Sequence, residues 1–235
     1  MTPTVRGEQA AFVARDNRFV VRARRTNGEV VRAYLPNTAR LTGLLVPGAR
    51  LRLVPADDPR RRTGWTVTRV WAGTWVALDA NAASGLVADH LEAGGGLPGW
   101  PELVEVRREV RRAGHRFDLV VRSADGQTGL VEVKSLSGAE DRVASLSGTP
   151  SARGVAHLTA LADLASAGEA TAVVFVVQRG DVDVLDVAAP ADSAWVTAVR
   201  RARRSGVHVV AYACEVDQHT LRLGRSLTVT DTRPA

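Results

Sequence analysis

Glu132 and Lys134 stand two apart in GLVEVKSL, residues 129–136, and Asp118 stands in HRFDLVVR, residues 115–122. Lys134 is the only lysine among the 31 Lys and Arg residues of the chain. Side chains alternate between the two faces of a strand, so Glu132 and Lys134 point one way and Val131 and Val133 the other. If the two stretches form a hairpin about Asp125-Gly126, Asp118 comes opposite residue 132 or 133. Two carboxylates on adjacent strands can hold Mg²⁺, or Mn²⁺, through oxygen while water fills the remaining positions. Such an ion lowers the pKa of a bound water and stabilises charge on a phosphate. An ammonium beside it orients the attacking water or neutralises the developing negative charge. A compact point cation suits that task better than the broad planar fork of arginine. The competing reading of Glu-Val-Lys is an ordinary alternation on a strand surface.

The elements that must position these residues lie in the part of the chain from residue 81 onward. AASGLVADHLEAG has helical spacing and stops at Gly94–Gly96. ELVEVRREVRR reads as a strand, or as two short extended pieces. ARGVAHLTALADLASAG reads as an amphipathic helix with Val155, Leu158, Leu161 and Ala165 on one side. ATAVVFVVQR is a continuous apolar run, as expected of a strand buried on both faces. SAWVTAVRRARRSG reads as a helix stopped by Gly206, and VHVVAYAC as the strand after it. The order helix, three strands, helix, strand, helix, strand predicts an α/β unit with a mixed sheet and helices on both faces.

Residues 1–80 read differently. Asn27-Gly28, flanked by alternating apolar and charged residues, predicts a type I′ hairpin. Val21, Ala23 and Val30 would then face inward, with Arg22, Arg24 and Arg32 outward. Further strands in PGARLRLVPA and GWTVTRVWAGTWVAL, the latter turning at Ala72-Gly73, complete four or five short strands. The length suits a five-stranded OB-type barrel. Arg60, Arg61 and Arg62 fall in one of its loops.

The net charge of +6 is concentrated in this first part, where 14 arginines face 6 acids; the remainder is slightly acidic. A basic barrel suits a polyanion, DNA or else RNA, with Arg18, Arg22, Arg24 and Arg25 on phosphates. Trp65, Trp71 and Trp75 could stack on bases; Trp65 and Trp75 fit a barrel core better. Solvation of a small β domain would account for the arginines equally well. Five histidines and one cysteine, Cys214, are too scattered for a zinc site. A lone cysteine excludes an internal disulfide and suggests a reducing, cytoplasmic setting. No apolar run reaches membrane-spanning length, and the first residues lack a signal-peptide core.

Taken together, NRF at 17–19, PNT at 36–38, LTGLLVPG at 41–48, FDLVV at 117–121, VEVKS at 131–135, RGVAHL at 153–158, FVVQRGD at 175–181 and GVHVVAY at 206–212 resemble the sugar fermentation stimulation protein family, SfsA. The resemblance runs nearly end to end. It implies an N-terminal OB-like domain over residues 1–80 and a C-terminal α/β domain of PD-(D/E)XK nuclease type over residues 81–235. It also implies DNA binding, with either metal-dependent nuclease activity or a regulatory role in maltose metabolism. Asp118, Glu132 and Lys134 match the family's Asp and Glu-x-Lys. Glu109 sits where the family has an assisting acid, which would complete a metal set of Asp118, Glu132 and Glu109. Gln178 stands where such nucleases place a polar catalytic residue. Arg153 and His157, four apart on one helix face, are candidates for phosphate contact, a buried structural histidine being the competing reading. The chain departs from the family at Ala39, at Ser84-Gly85 in place of Asn-Arg, and around Ser147-Gly148, where Pro-Asp is lost.

These readings predict a Mg²⁺-dependent DNA or RNA phosphodiesterase. The alternatives are a non-catalytic DNA-binding regulator on a nuclease scaffold and a protein-interaction module.

Overall fold

The computed structural model describes residues 7–56, 58, 60–146, 152–188 and 193–231. Six strands come first: β1 (Glu8–Asn17), β2 (Val20–Arg25), β3 (Val30–Tyr34), β4 (Arg50–Pro55), β5 (Trp65–Trp71) and β6 (Trp75–Ala77). The first five run in the order β3-β2-β1-β4-β5, and a parallel pairing of β3 with β5 closes them into a barrel. β6 adds to β5 beyond a turn at Gly73. The barrel is filled by the alternate residues of each strand, among them Val21, Ala23, Ala33, Leu51, Leu53 and Val67, all fully buried.

The β2–β3 hairpin differs from expectation by one residue. Arg25 N–H donates to Glu29 O at 2.9 Å and Gly28 N–H to Arg25 O at 3.0 Å. Gly28 has φ +88°. The loop therefore has three residues, Thr26 to Gly28, and its glycine takes the left-handed position rather than sharing a two-residue turn with Asn27. The extra residue turns Val30 outward, opposite Arg24 and 45% exposed. Val31 and Ala33 face inward, opposite Ala23 and Val21. A one-residue slip exchanges the two faces of a strand.

The rest of the chain continues with α1 (Ala82–Glu92), β7 (Leu103–Arg112), β8 (His115–Ser123), β9 (Thr128–Leu136), β10 (Ala139–Glu140), β11 (Val143–Ser145), α2 (Ala152–Ser166) and β12 (Ala170–Val177). β13 (Val184–Asp186), α3 (Ala194–Arg204), β14 (His208–Val216), β15 (Leu221–Ser226) and β16 (Thr228–Thr230) follow. The main sheet has the order β15-β14-β12-β9-β8-β7. β9, β12 and β14 are parallel; the pairs at either edge are antiparallel. Val173, Phe175 and Val177 of β12 pack toward α2 and α3, and Ala172, Val174 and Val176 toward α1. Helices on both faces explain why β12 is apolar throughout. The short strands β10, β11, β13 and β16 form a separate small sheet.

The barrel is joined to the α/β unit at the end of β12. Ala77 N–H donates to Gln178 O at 2.9 Å, and Gln178 Nε2 donates to Asp79 O at 2.6 Å. No helix among the described residues is long and apolar enough to cross a membrane.

Candidate functional site

β8 and β9 pair along their backbones from Arg122↔Thr128 to Leu119↔Val131. The next step in that register would set Asp118 across from Glu132. There the ladder gives way: Val133 N–H donates 2.7 Å to Asp118 Oδ2, a side-chain oxygen. One carboxylate is thereby fixed at the point where the two strands part. Asp118 faces a cleft of about 620 Å³ with Glu109, Arg116 and Val133, and with Ser84 and Gly85 from α1.

Glu132 is 3% exposed. Its Oε1 lies 2.6 Å from His157 Nδ1 on α2 and accepts a second bond from Lys134 Nζ. Its Oε2 is buried with no hydrogen-bond partner. A buried charge persists only when paired, and Lys134 and His157 supply that pairing on one oxygen. The second oxygen is an unmet acceptor, an arrangement that costs about 1–3 kcal/mol unless something binds there.

The Asp118 carboxyl is held above the ordinary aspartate range, first by burial and then by the charge of Glu132. The Val133 N–H bond, Lys134 and His157 act in the opposite direction. An acid whose ionisation is hindered by burial and by a neighbouring carboxylate belongs to a donor set suited to a divalent cation. Among the described residues no three His, Cys, Asp or Glu side chains form a group able to hold an ion. Mg²⁺ needs no such cage, because it keeps several waters and takes one or two carboxylates plus substrate phosphate oxygens. Asp118 and Glu132, with the unmet Oε2, fit that requirement.

The other expected site residues divide. Lys134 joins the pair, and its ammonium also lies 5.9 Å from the ring centroid of Trp195 on α3. Trp195 escaped the sequence reading because nothing local links it to β9. Glu109 borders the cleft of Asp118 but does not complete a three-acid set. It sits at φ +54° with its side chain 70% exposed, 3.8 Å from Arg116. Gln178 lies on the face of the sheet away from Glu132. Along β12 the odd-numbered residues face α2, as Glu132 does, so Gln178 falls on the other face, fully buried against Asp79. His157 is 6% exposed, and its inward turn toward Glu132 leaves no surface position for phosphate. The spacing of buried Gly154, His157, Leu158 and Leu161 was the available signal that it lies on the inner stripe of α2. Arg153 is exposed at the start of that helix.

On the barrel, Arg25 is occupied by Glu8 and Glu29 and stacks 4.7 Å over Trp65. Arg22 is tied to Asp16 at 2.9 Å. Arg18 and Arg24 form no ion pair among the described residues, and Arg18 lies 4.8 Å over the Phe19 ring. Trp75 is 6% exposed and Trp71 is 40% exposed, with Arg50 over both rings at 5.0 and 4.4 Å. The departure at Ser84-Gly85 lines the cleft; the one at Ser147-Gly148 lies outside the described residues.

A closed OB-like barrel joined to an α/β mixed sheet, with two acids and a lysine where adjacent strands part, defines the class of protein. Residues 13–78 match the SfsA N-terminal OB domain, and residues 81–220 match the sugar fermentation stimulation protein RE domain. The chain belongs to the sugar fermentation stimulation protein family. It is 37% identical over 223 residues to the sugar fermentation stimulation protein homolog of Chloroflexus aurantiacus, covering 94% of this chain and 85% of that one. It is 35% identical to the homolog of Moorella thermoacetica, covering 92% and 93%. The structure of Pyrococcus furiosus SfsA in complex with Ca²⁺ superposes with a TM-score of 0.82 at 22% identity, over 98% of this chain and 97% of that one.

Proposed function

We propose that this protein is a divalent-metal-dependent phosphodiesterase that acts on DNA, or on RNA, in the cytoplasm. The observation that carries the reading is Glu132: a buried carboxylate with one oxygen bonded by Lys134 and His157 and the other without a hydrogen-bond partner, its charge close enough to Asp118 to raise that carboxyl. The Ca²⁺ bound by the Pyrococcus relative supports a divalent ion at this pair, with Mg²⁺ or Mn²⁺ as the working metal. The ion supplies Lewis acidity at the phosphate and a more acidic water. Asp118 and Glu132 would hold it. His157 fixes the Glu132 rotamer, because the ring is packed 6.0 Å from Phe117 and 5.5 Å from His115. Lys134 moves between Glu132 and the reacting phosphate, where its charge offsets the negative charge of the pentavalent transition state. The barrel holds the strand through Arg18 and Arg24, with Trp71 as a stacking surface.

A second reading has one observation in its favour. Ser84 and Gly85 border the cleft where the family has Asn-Arg, so a guanidinium expected there is absent. A DNA-binding regulator that has lost turnover would look the same elsewhere. Incubation of the wild type and Glu132→Gln with labelled single- and double-stranded DNA and RNA, in Mg²⁺, Mn²⁺ or EDTA, separates the two. Products from the wild type in metal alone support the phosphodiesterase. Retarded, intact nucleic acid in every lane supports the regulator.

A further inference from the structure

β7 and β8 end in a tight hairpin whose turn, Ala113-Gly114, has φ +48° and +75°. Just before the turn, Arg111 and Arg116 are direct cross-strand partners, as are Arg112 and His115. Like charges set directly opposite destabilise a sheet. Elsewhere on these strands the arginines are matched: Arg108 with Asp89 and Glu92, Arg112 with Glu169, Arg122 with Glu105. Arg111 has no ion pair among the described residues, and the carboxylate paired with Arg116 is exposed Glu109, at 3.8 Å. A third guanidinium, Arg153 of α2, is also without an ion pair among the described residues, and residues 147–151 before it include no acid. All three line one cleft of about 300 Å³, together with His115 and Gly114.

Three guanidiniums line one cleft, and among the described residues the single carboxylate paired with any of them is the exposed Glu109, an arrangement that suits an anion. We propose that this cleft binds the terminal phosphate of a nucleic-acid strand. The proposal rests on the phosphodiesterase reading and adds to it which part of the substrate is recognised. A terminal phosphate carries about −1.5 to −2 charge near neutral pH and three strong acceptor oxygens. That charge and acceptor count suit three arginine forks better than an internal diester, which carries one negative charge. The position is informative too. Arg116 borders both this cleft and that of Asp118. His115 packs 5.5 Å from His157, the residue bonded to Glu132. A strand gripped by its end here would lay its first internucleotide linkages along the acid pair, which makes cleavage end-directed.

The test uses anisotropy of one single-stranded sequence carrying a 5′-phosphate, a 3′-phosphate or hydroxyls at both ends, titrated with the full chain in EDTA so that nothing is cut. Unlabelled inorganic phosphate serves as competitor. The expected result is about tenfold tighter binding of one phosphorylated end, with competition by inorganic phosphate. The Arg111→Gln/Arg153→Gln variant should lose that preference and keep its affinity for the hydroxyl-ended strand to within about threefold. Both side chains are exposed, and circular dichroism checks that the variant folds. Equal affinity for all three strands, or a preference that survives the double substitution, overturns the proposal. End preference without cleavage in Mg²⁺ or Mn²⁺ would leave the pocket standing and remove the phosphodiesterase. Cleavage without end preference would do the reverse.

Discussion

Replacing Lys134 by methionine keeps most of the side-chain stem and removes the ammonium from a pair whose partners are 18% and 4% exposed. Breaking a buried ion pair from one side costs about 3–5 kcal/mol, because the remaining charge is left uncompensated. Here His157 stays bonded to the same oxygen at 2.6 Å, so the cost should sit near the lower end, about 3 kcal/mol. In a Glu132→Gln background the same substitution strands no carboxylate. It then removes one neutral-acceptor hydrogen bond, worth about 1 kcal/mol. The two sites should therefore couple by about 2 kcal/mol in a double-mutant cycle. Urea denaturation of the wild type, both single variants and the double variant measures this directly, since the midpoint shifts at constant slope. A Lys134→Met cost that is the same in both backgrounds, within about 0.5 kcal/mol, refutes the claim that Lys134 compensates Glu132.

Three further outcomes follow from the same structure. Burial and Glu132 raise the Asp118 carboxyl above its unfolded value, so its ionisation opposes folding. Asp118→Asn should therefore unfold at a higher temperature than the wild type at neutral pH, with no metal present. The gain is full above the raised pKa and vanishes as pH falls to the ordinary aspartate range, which calorimetric scans across acid pH would show. Trp75→Ala should cost about 3 kcal/mol in denaturant, as for a buried tryptophan. Trp71→Ala should leave stability within about 1 kcal/mol and weaken single-strand binding; the reverse pattern would move the stacking surface elsewhere. Arg18→Gln/Arg24→Gln should shallow the slope of log affinity against log salt by about 1–2, whereas Arg25→Gln should mainly lower stability, because Glu8 and Glu29 already hold that charge.

Both architectures were legible from pattern alone where strands were long or helices amphipathic. The fully apolar run of β12 told of two covered faces, and Asp118, Glu132 and Lys134 were placed by alternation and one turn signal. Where the reading failed, the deciding contact was distant in sequence or the element too short to have a period. The β2–β3 register turned on whether Asn27 or Gly28 alone takes the left-handed conformation, which no propensity resolves. Strands of two or three residues, such as β10 and β11, carry no alternation to detect. For Gln178 the alternation of β12 puts the side chain on the face away from Glu132, a placement that family analogy alone does not give. His157 could be seen on an apolar helix stripe, but its carboxylate partner lies 25 residues away on another element.

Asp118 and Glu132 are together proposed to hold one divalent ion. Calorimetric titration of Ca²⁺ and Mn²⁺ into the wild type, Asp118→Asn, Glu132→Gln and Glu109→Gln tests it most directly. One site per chain is expected, retained in Glu109→Gln and lost in both Asp118→Asn and Glu132→Gln. Wild-type affinity in either of the last two variants would contradict it.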